Sequence, residues 1–324
     1  MPKFTHVPPL GAVPHGITPF TAELPNPLGG ERHYYRWRGH KVAYVVSGHQ
    51  SSERTPLLFV HSIHAAAWSA EWRFVFGPLA EREGNGPAYA LDLLGFGASD
   101  RPPIRYTAQL YIDLVRDFTR EVIGRPPHAL GSSLGATYLI AAEAANPGLL
   151  AQITAVGPAG ISRLYDTGSV LNHAVEALFR TKIPGTALFR ALVSRPSIRF
   201  FLKDIYSNPK SLTPEAVELF WLSANHPNAR YAPAAFVGMS LNRNLKSTAN
   251  AVSCPIHLIW GTKAAQTPFS ESQEVRDAFP QATFTAIDSG DLPHEESPEQ
   301  FLTAVTVVPA VDIAAVPASA VQLP

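Results

Sequence analysis

The stretch HALGSSLGATY, residues 128–138, places Ser133 between Gly131 and Gly135. A G-x-S-x-G run after a short apolar segment and before a helix-forming one suits a nucleophilic serine. The strand-to-helix turn it needs is strained and tolerates only small neighbours, and it holds the hydroxyl at the positive end of the helix. Ser133 is therefore the candidate nucleophile, with Ser132 beside it in the expected pocket. Acyl chemistry also needs two hydrogen-bond donors for the oxyanion that develops on attack. The backbone amide of Leu134 is placed to be one. The other is expected from Ile63, in the turn of LLFVHSIHAAAW (residues 57–68). That turn also carries His61, read as a brace, and His64, expected at the pocket mouth within reach of a substrate or of Ser133. Asp92, in ALDLLGFGASD with Gly95 and Gly97, reads as the anchor of a rigid turn.

These residues need a scaffold that gathers strand ends. HYYRWRG (33–39) and HKVAYVVSG (40–48) read as an antiparallel pair with Gly39 in the turn. PLLFVH, PAYALD, PHALGS, AQITAVG, PIHLIWG and ATFTAID read as buried strands, mostly separated by patterns of helical length. That alternation predicts an α/β protein with a mostly parallel sheet flanked by helices. From about residue 161 to 250 no strand pattern occurs. Leu178, Phe179, Leu188, Phe189, Phe200, Phe201, Phe220 and Trp221 recur there in helical settings, which predicts a helical cap with an apolar inner face. The expected organisation is an extended or partly disordered segment at 1–30, a core from 31–160 and 251–308, the cap at 161–250 and a flexible tail at 309–324.

Composition narrows the partners. The chain has 324 residues, 46% of them hydrophobic, and balances 26 basic against 26 acidic residues. No global field would draw it to nucleic acid or an anionic membrane, so a small hydrophobic substrate or ligand is the expected partner. One cysteine, Cys254, excludes an intramolecular disulfide framework and fits a cytoplasmic setting. No uninterrupted apolar run reaches the length of a membrane span. No cofactor or metal is expected, since the histidines lack ligand spacing. Oligomeric state is left open.

Taken in order, the motifs resemble those of the α/β-hydrolase superfamily, in its capped branch. The resemblance covers roughly residues 33–308 and rests on FVHSIHAA, DLLGFGASD, GSSLG, LIWGTKAAQTP and GDLPHEESPEQF. It implies a Ser-His-acid triad, and two of its members are replaced. Aligning Gly261 and Pro268 with the family's acid loop puts Ala264 at the carboxylate position. Aligning Gly290, Pro293, His294, Glu296 and Pro298 with its histidine loop puts Asp291 at the position of the base. Ser62 also stands where a glycine usually follows the loop histidine. The segment VGPAGISRLYD offers no alternative acid before Asp166.

A serine hydroxyl needs a base to take its proton. The candidates are His294, which reads first as a structural histidine, Asp291 acting through water, and His64. The sequence leaves three readings open: a weak or rewired hydrolase of a small hydrophobic ester or lactone, a non-hydrolytic enzyme such as a lyase, isomerase or cyclase, and a pseudoenzyme that binds a small molecule or partner.

Overall fold

The computed structural model describes residues 23–305 except 50, 51, 83, 84, 167 and 247. Its strands are β1 (Glu31–Trp37), β2 (His40–Ser47), β3 (Leu57–Val60), β4 (Ala88–Leu91), β5 (His128–Ser132), β6 (Gln152–Val156), β7 (Ile256–Gly261) and β8 (Thr283–Ile287). They form one sheet in the order β1-β2-β4-β3-β5-β6-β7-β8. β2 pairs antiparallel with β1 and β4, and every other pairing is parallel. Each expected strand run forms a strand. The β1–β2 turn takes Arg38 and Gly39 at φ 48 and 85, the two left-handed residues that a tight hairpin matching the sheet twist requires.

The helices are α1 (Phe76–Glu81), α2 (Ala108–Phe118), α3 (Leu134–Ala145), α4 (Val170–Arg180), α5 (Pro184–Leu192), α6 (Arg195–Ile205), α7 (Pro214–Ala224), α8 (Tyr231–Val237), α9 (Ser272–Ala278), α10 (Pro293–Glu296) and α11 (Pro298–Ala304). Strands β3 to β7 are buried along their whole length because both faces of the sheet are covered. Alternation along β3 shows the two layers: Leu58 and Val60 belong to the core with Tyr111, Phe118 and Leu139, whereas Leu57 and Phe59 pack with Trp72, Phe76 and Phe301. A slip of one residue would exchange these faces.

Helices α4 to α8 fill the interval between β6 and β7, where no strand occurs among the described residues. Local signals fix their starts. Ser169 and Asn172 close a capping box on α4, Thr213 caps α7 through the Ala216 amide, and proline opens α5, α6 and α7. The insertion has its own core of Phe179, Phe189, Val193, Ile198, Leu202 and Phe220, joined from below by Ala66 and Leu292. One expectation is corrected here, because the paired apolar residues do not all face inward. Phe179 and Phe189 are buried, but their neighbours Leu178 and Leu188 are exposed, as are Phe200 and Phe201. Successive helical positions lie about 100° apart, so one member of a pair can face the core while the other meets solvent.

Residues 23–30 form no helix or strand. They pack down through Leu24 and Leu28, and Arg32 donates to the carbonyls of Leu24 and Pro25. The expected segments at 1–22 and 309–324 lie outside the described residues.

Candidate active site

Ser133 joins β5 to α3 with φ 50 and ψ −122, a conformation L residues avoid and that stores about 1–3 kcal/mol. The surroundings over-determine it. The Ser133 amide donates to the Val156 carbonyl at 2.9 Å, and its carbonyl accepts from both the amide and the hydroxyl of Thr137 at 3.2 Å. A side chain at Gly135 would collide with the carbonyl oxygens of Val60 and His61, and one at Gly131 with the backbone of Ala136. Gly135 lets the start of α3 press against the end of β3, and Gly131 lets α3 fold back closely over β5. Ser133 borders a cavity of about 540 Å³, and its hydroxyl makes no hydrogen bond to any described residue. The roof is apolar, from Phe179, Phe189, Leu192, Ile198, Phe220 and Phe236; Ser62, His64, Ser132, Thr267 and Asp291 are among the polar lining.

Two residues carry the amides expected to act as donors. Leu134 opens α3, where the first amides lack intrahelical partners, and Ile63 lines the cavity. Among the described residues neither amide donates a hydrogen bond to the protein. Ser62, the departure from glycine in this loop, has a structural reason that the sequence reading missed. Its amide donates to Glu71 Oε1 at 2.9 Å and its hydroxyl to Oε2 at 2.6 Å. Glu71 is fully buried in the short helical turn Ser69–Trp72 and so ties the loop down. Burial pushes its carboxyl up, but the nearby His294 and His61 rings and the Ser62 hydroxyl outweigh that and hold it below the usual carboxylate range. The only clue in the sequence is a lone carboxylate inside the aromatic run AAAWSAEWRFVF.

Three histidines divide by environment. His61 accepts the Leu93 amide on Nε2 at 3.1 Å and contacts the Ser62 carbonyl through Nδ1 at 2.6 Å; the first contact fixes Nδ1 as the protonated nitrogen. Its ring braces the loop. His64 borders the cavity on one side and is otherwise enclosed. Its Nδ1 accepts the Ala66 amide at 3.3 Å, which leaves the proton on Nε2, a nitrogen with no partner. Burial pushes this ring down to about 4, against the opposing pull of Glu71, so His64 is neutral at physiological pH.

Of the two readings of His294, the structural one fits its place, and the one as a base does not. α10 turns it into the core, fully buried, stacked on Trp72 with ring centroids 4.0 Å apart and edge-on to Phe301. It is not among the cavity-lining residues. Its Nε2 stands 3.7 Å from Glu71 Oε1, beyond hydrogen-bond distance, and neither ring nitrogen has a hydrogen-bond partner. Behind it, Glu295 bridges Arg73 and the Tyr206 hydroxyl in a buried cluster that locks α6 to the core.

Asp291 borders the cavity, yet its carboxylate is turned into the loop after β7. It accepts the amides of Ala265, Gln266 and Thr267 and the Thr267 hydroxyl, at 2.9 to 3.1 Å. The loops carrying Ala264 and Asp291 therefore meet as expected, but Asp291 acts as their clasp, and a carboxylate engaged by four donors is poorly placed to serve as a base. Gly261 and Gly290 interlock just beneath, where a side chain at Gly261 would strike the Gly290 carbonyl. Asp92 behaves as read, accepting the amides of Ser69 and Ala98 at 2.9 and 2.8 Å.

A serine forced into a strained strand-to-helix turn, at the carboxyl edge of a mostly parallel sheet and under a helical roof, defines the hydrolase type of α/β protein. The chain belongs to the alpha/beta hydrolase family, whose model matches residues 57–304. Over 64 residues it is 39% identical to human and Pongo abelii 1-acylglycerol-3-phosphate O-acyltransferase ABHD5; this takes in 20% of the chain, which spans only 17% of those relatives' length. The fold matches a serine hydrolase of carbazole degradation, CarC (TM-score 0.66, 18% identity, 85% of this chain and 97% of that one). It also matches the enol-lactonase of Burkholderia xenovorans LB400 (TM-score 0.66, 17% identity, 84% and 97%). A third match is the meta-cleavage product hydrolase of Pseudomonas fluorescens IP01 (TM-score 0.65, 17% identity, 84% and 94%).

Proposed function

We propose that the chain is a slow serine hydrolase of a small hydrophobic ester or lactone. The observation that carries this reading is Ser133: a non-glycine residue held at positive φ on the cavity wall, with its hydroxyl and two neighbouring amides uncommitted. The apolar roof suits an acyl chain or ring, and a cavity of this size suits a small molecule. An enol-lactonase and a meta-cleavage product hydrolase share the fold, which supports a carbonyl compound as the substrate class.

In this mechanism the Ser133 oxygen attacks the substrate carbonyl carbon, and the amides of Ile63 and Leu134 receive the oxyanion. Collapse expels the alkoxide and leaves an acyl-serine, which water hydrolyses to release the acid and restore Ser133. The step is slow because the Ser133 proton passes to solvent water, which also protonates the departing alkoxide, and no dedicated base assists. Asp291 is committed to its loop, and His64 is a weak base whose Nε2 carries a proton. A ligand carbonyl would give that nitrogen the partner it lacks, which makes His64 a donor to substrate. Loss of the base in serine hydrolases lowers turnover on the order of 10⁶, while binding and the oxyanion donors leave roughly 10³–10⁴ over water.

The test is a time course with a short activated ester, together with intact mass. Slow turnover with an acyl adduct on Ser133, both lost in Ser133→Ala, supports the proposal; turnover unchanged in Ser133→Ala overturns it. A second reading draws on the saturated Asp291 carboxylate: the same donors would polarise a bound carbonyl without an acyl-enzyme, in a lyase, isomerase or cyclase, or in a protein that only binds. Saturable ligand binding with no adduct would favour it.

A further inference from the structure

Helices α4 and α5 carry apolar stripes on their solvent side. On α4, Val170, Leu171, Ala174, Ala177 and Leu178 follow the spacing of one helical face, and all are exposed. On α5, Pro184, Ala187, Leu188 and Ala191 do the same, preceded by exposed Ile183. Such a stripe normally faces a core. Here the opposite faces already fill that role through Phe179 and Phe189, while Leu171 is 73% and Ile183 79% exposed. The stripes converge where Gly185 packs on the carbonyls of Leu178 and Phe179. α6 adds Phe200, 63% exposed, and Phe201, which is 47% exposed and also lines the cavity. The apolar surface thus runs to the cavity wall.

Its charge is one-sided. Lys182, Arg190, Arg199 and Lys203 stand exposed along these helices, and none makes an ion pair with a described residue. The acidic residues of α4 to α6 are Glu176, which is buried, and Asp204. In a chain with balanced totals this is a local cationic rim around an apolar surface.

We propose that the outer face of α4 to α6 docks on the surface of an anionic lipid bilayer, so that an apolar substrate passes from lipid to cavity beside Phe201. Helices lying in the interface bury an apolar stripe among the headgroups while flanking lysines and arginines meet anionic lipid. The contact is peripheral, since among the described residues no helix is long and apolar enough to cross a membrane. A second copy of the chain fits less well, because a two-fold pairing would set the same cations against one another. Docking stands on this surface alone; only substrate delivery rests on the hydrolase reading.

The experiment is co-sedimentation of the full chain with phosphatidylcholine vesicles, with and without phosphatidylserine. Binding is expected with phosphatidylserine, little without it, and less as salt rises. The double variant Leu171→Ser with Ile183→Ser should weaken binding about tenfold or more. Lys182→Gln with Arg190→Gln should weaken it roughly 25-fold at low salt, at about five-fold per cation. Circular dichroism checks that these surface variants stay folded, and Ser133→Ala should bind like the parent, which separates docking from catalysis. No binding to either vesicle, or equal binding by parent and variants, overturns the proposal. So does a dimer in the absence of lipid that Leu171→Ser with Ile183→Ser dissociates while vesicles capture nothing, since that assigns the face to a second copy.

Discussion

On one side of the cavity, Gly131 and Gly135 let the backbone press a serine into a strained turn, and the side chain at the tip is a nucleophile left free. On the other side, Gly261 and Gly290 let two loops interlock just as closely, but the side chains at the tip are Ala264 and a carboxylate consumed by its own scaffold. Backbone packs closely against backbone in both places. The lesson is that loop geometry and side-chain chemistry are separately encoded: small residues keep the first, while a single well-hydrogen-bonded replacement can absorb the second.

If both sides are held by backbone contact, Gly135→Ala and Gly261→Ala should be comparably damaging, each by roughly 4 kcal/mol or more, because an added methyl meets rigid carbonyls. Denaturant unfolding would show this; a mild effect at Gly261 alone would mean that side is looser than the elbow. Asp291→Ala should lose about 3 kcal/mol, since three amides and a hydroxyl lose a charged acceptor, while any reactivity of Ser133 survives in the folded fraction. The opposite result, full stability with reactivity gone, would make Asp291 a base after all.

Acid should act mainly through buried imidazoles. Burial lowers His64 to about 4 and His128 to about 3, from an ordinary 6.5. Between those values the unfolded chain binds more protons than the folded one. Stability is therefore complete above pH 6.5 and falls as pH falls through this window. Glu71, held below its ordinary value, adds a loss of the same sign further down. His64→Gln should remove part of the acid sensitivity, on the order of 2 kcal/mol near the bottom of the window, measured by unfolding at stepped pH. The smallest stability effect is expected at Glu71→Gln, about 1 kcal/mol, yet by loosening Ser62 and the Ile63 amide it should slow reaction of Ser133 about tenfold.

Much of the fold was legible because each strand run is bounded by turn residues and the glycines around Ser133 have few other uses. The meeting of the Asp291 and Ala264 loops was legible too, from neighbouring strands. What the residues could not announce was direction. His294 follows Asp291 by three positions, but the proline-led α10 that carries it turns the imidazole onto Trp72 and away from the cavity. Three of Asp291's four partners are backbone amides, which leave no mark in a sequence. Glu71 and Ser62 are nine residues apart and become partners only when the loop folds over its helical turn. The apolar pairs of the insertion read as core because a one-dimensional pattern does not say which helical face is already occupied.

Whether Ser133 stays chemically competent while Asp291 serves only as a structural clasp is read from the rate of covalent labelling with a fluorophosphonate. Slow labelling is expected at Ser133 alone, abolished in Ser133→Ala and retained in Asp291→Asn and in a variant of His294. Complete absence of labelling in a folded protein whose cavity still binds a small apolar carbonyl compound would contradict that competence.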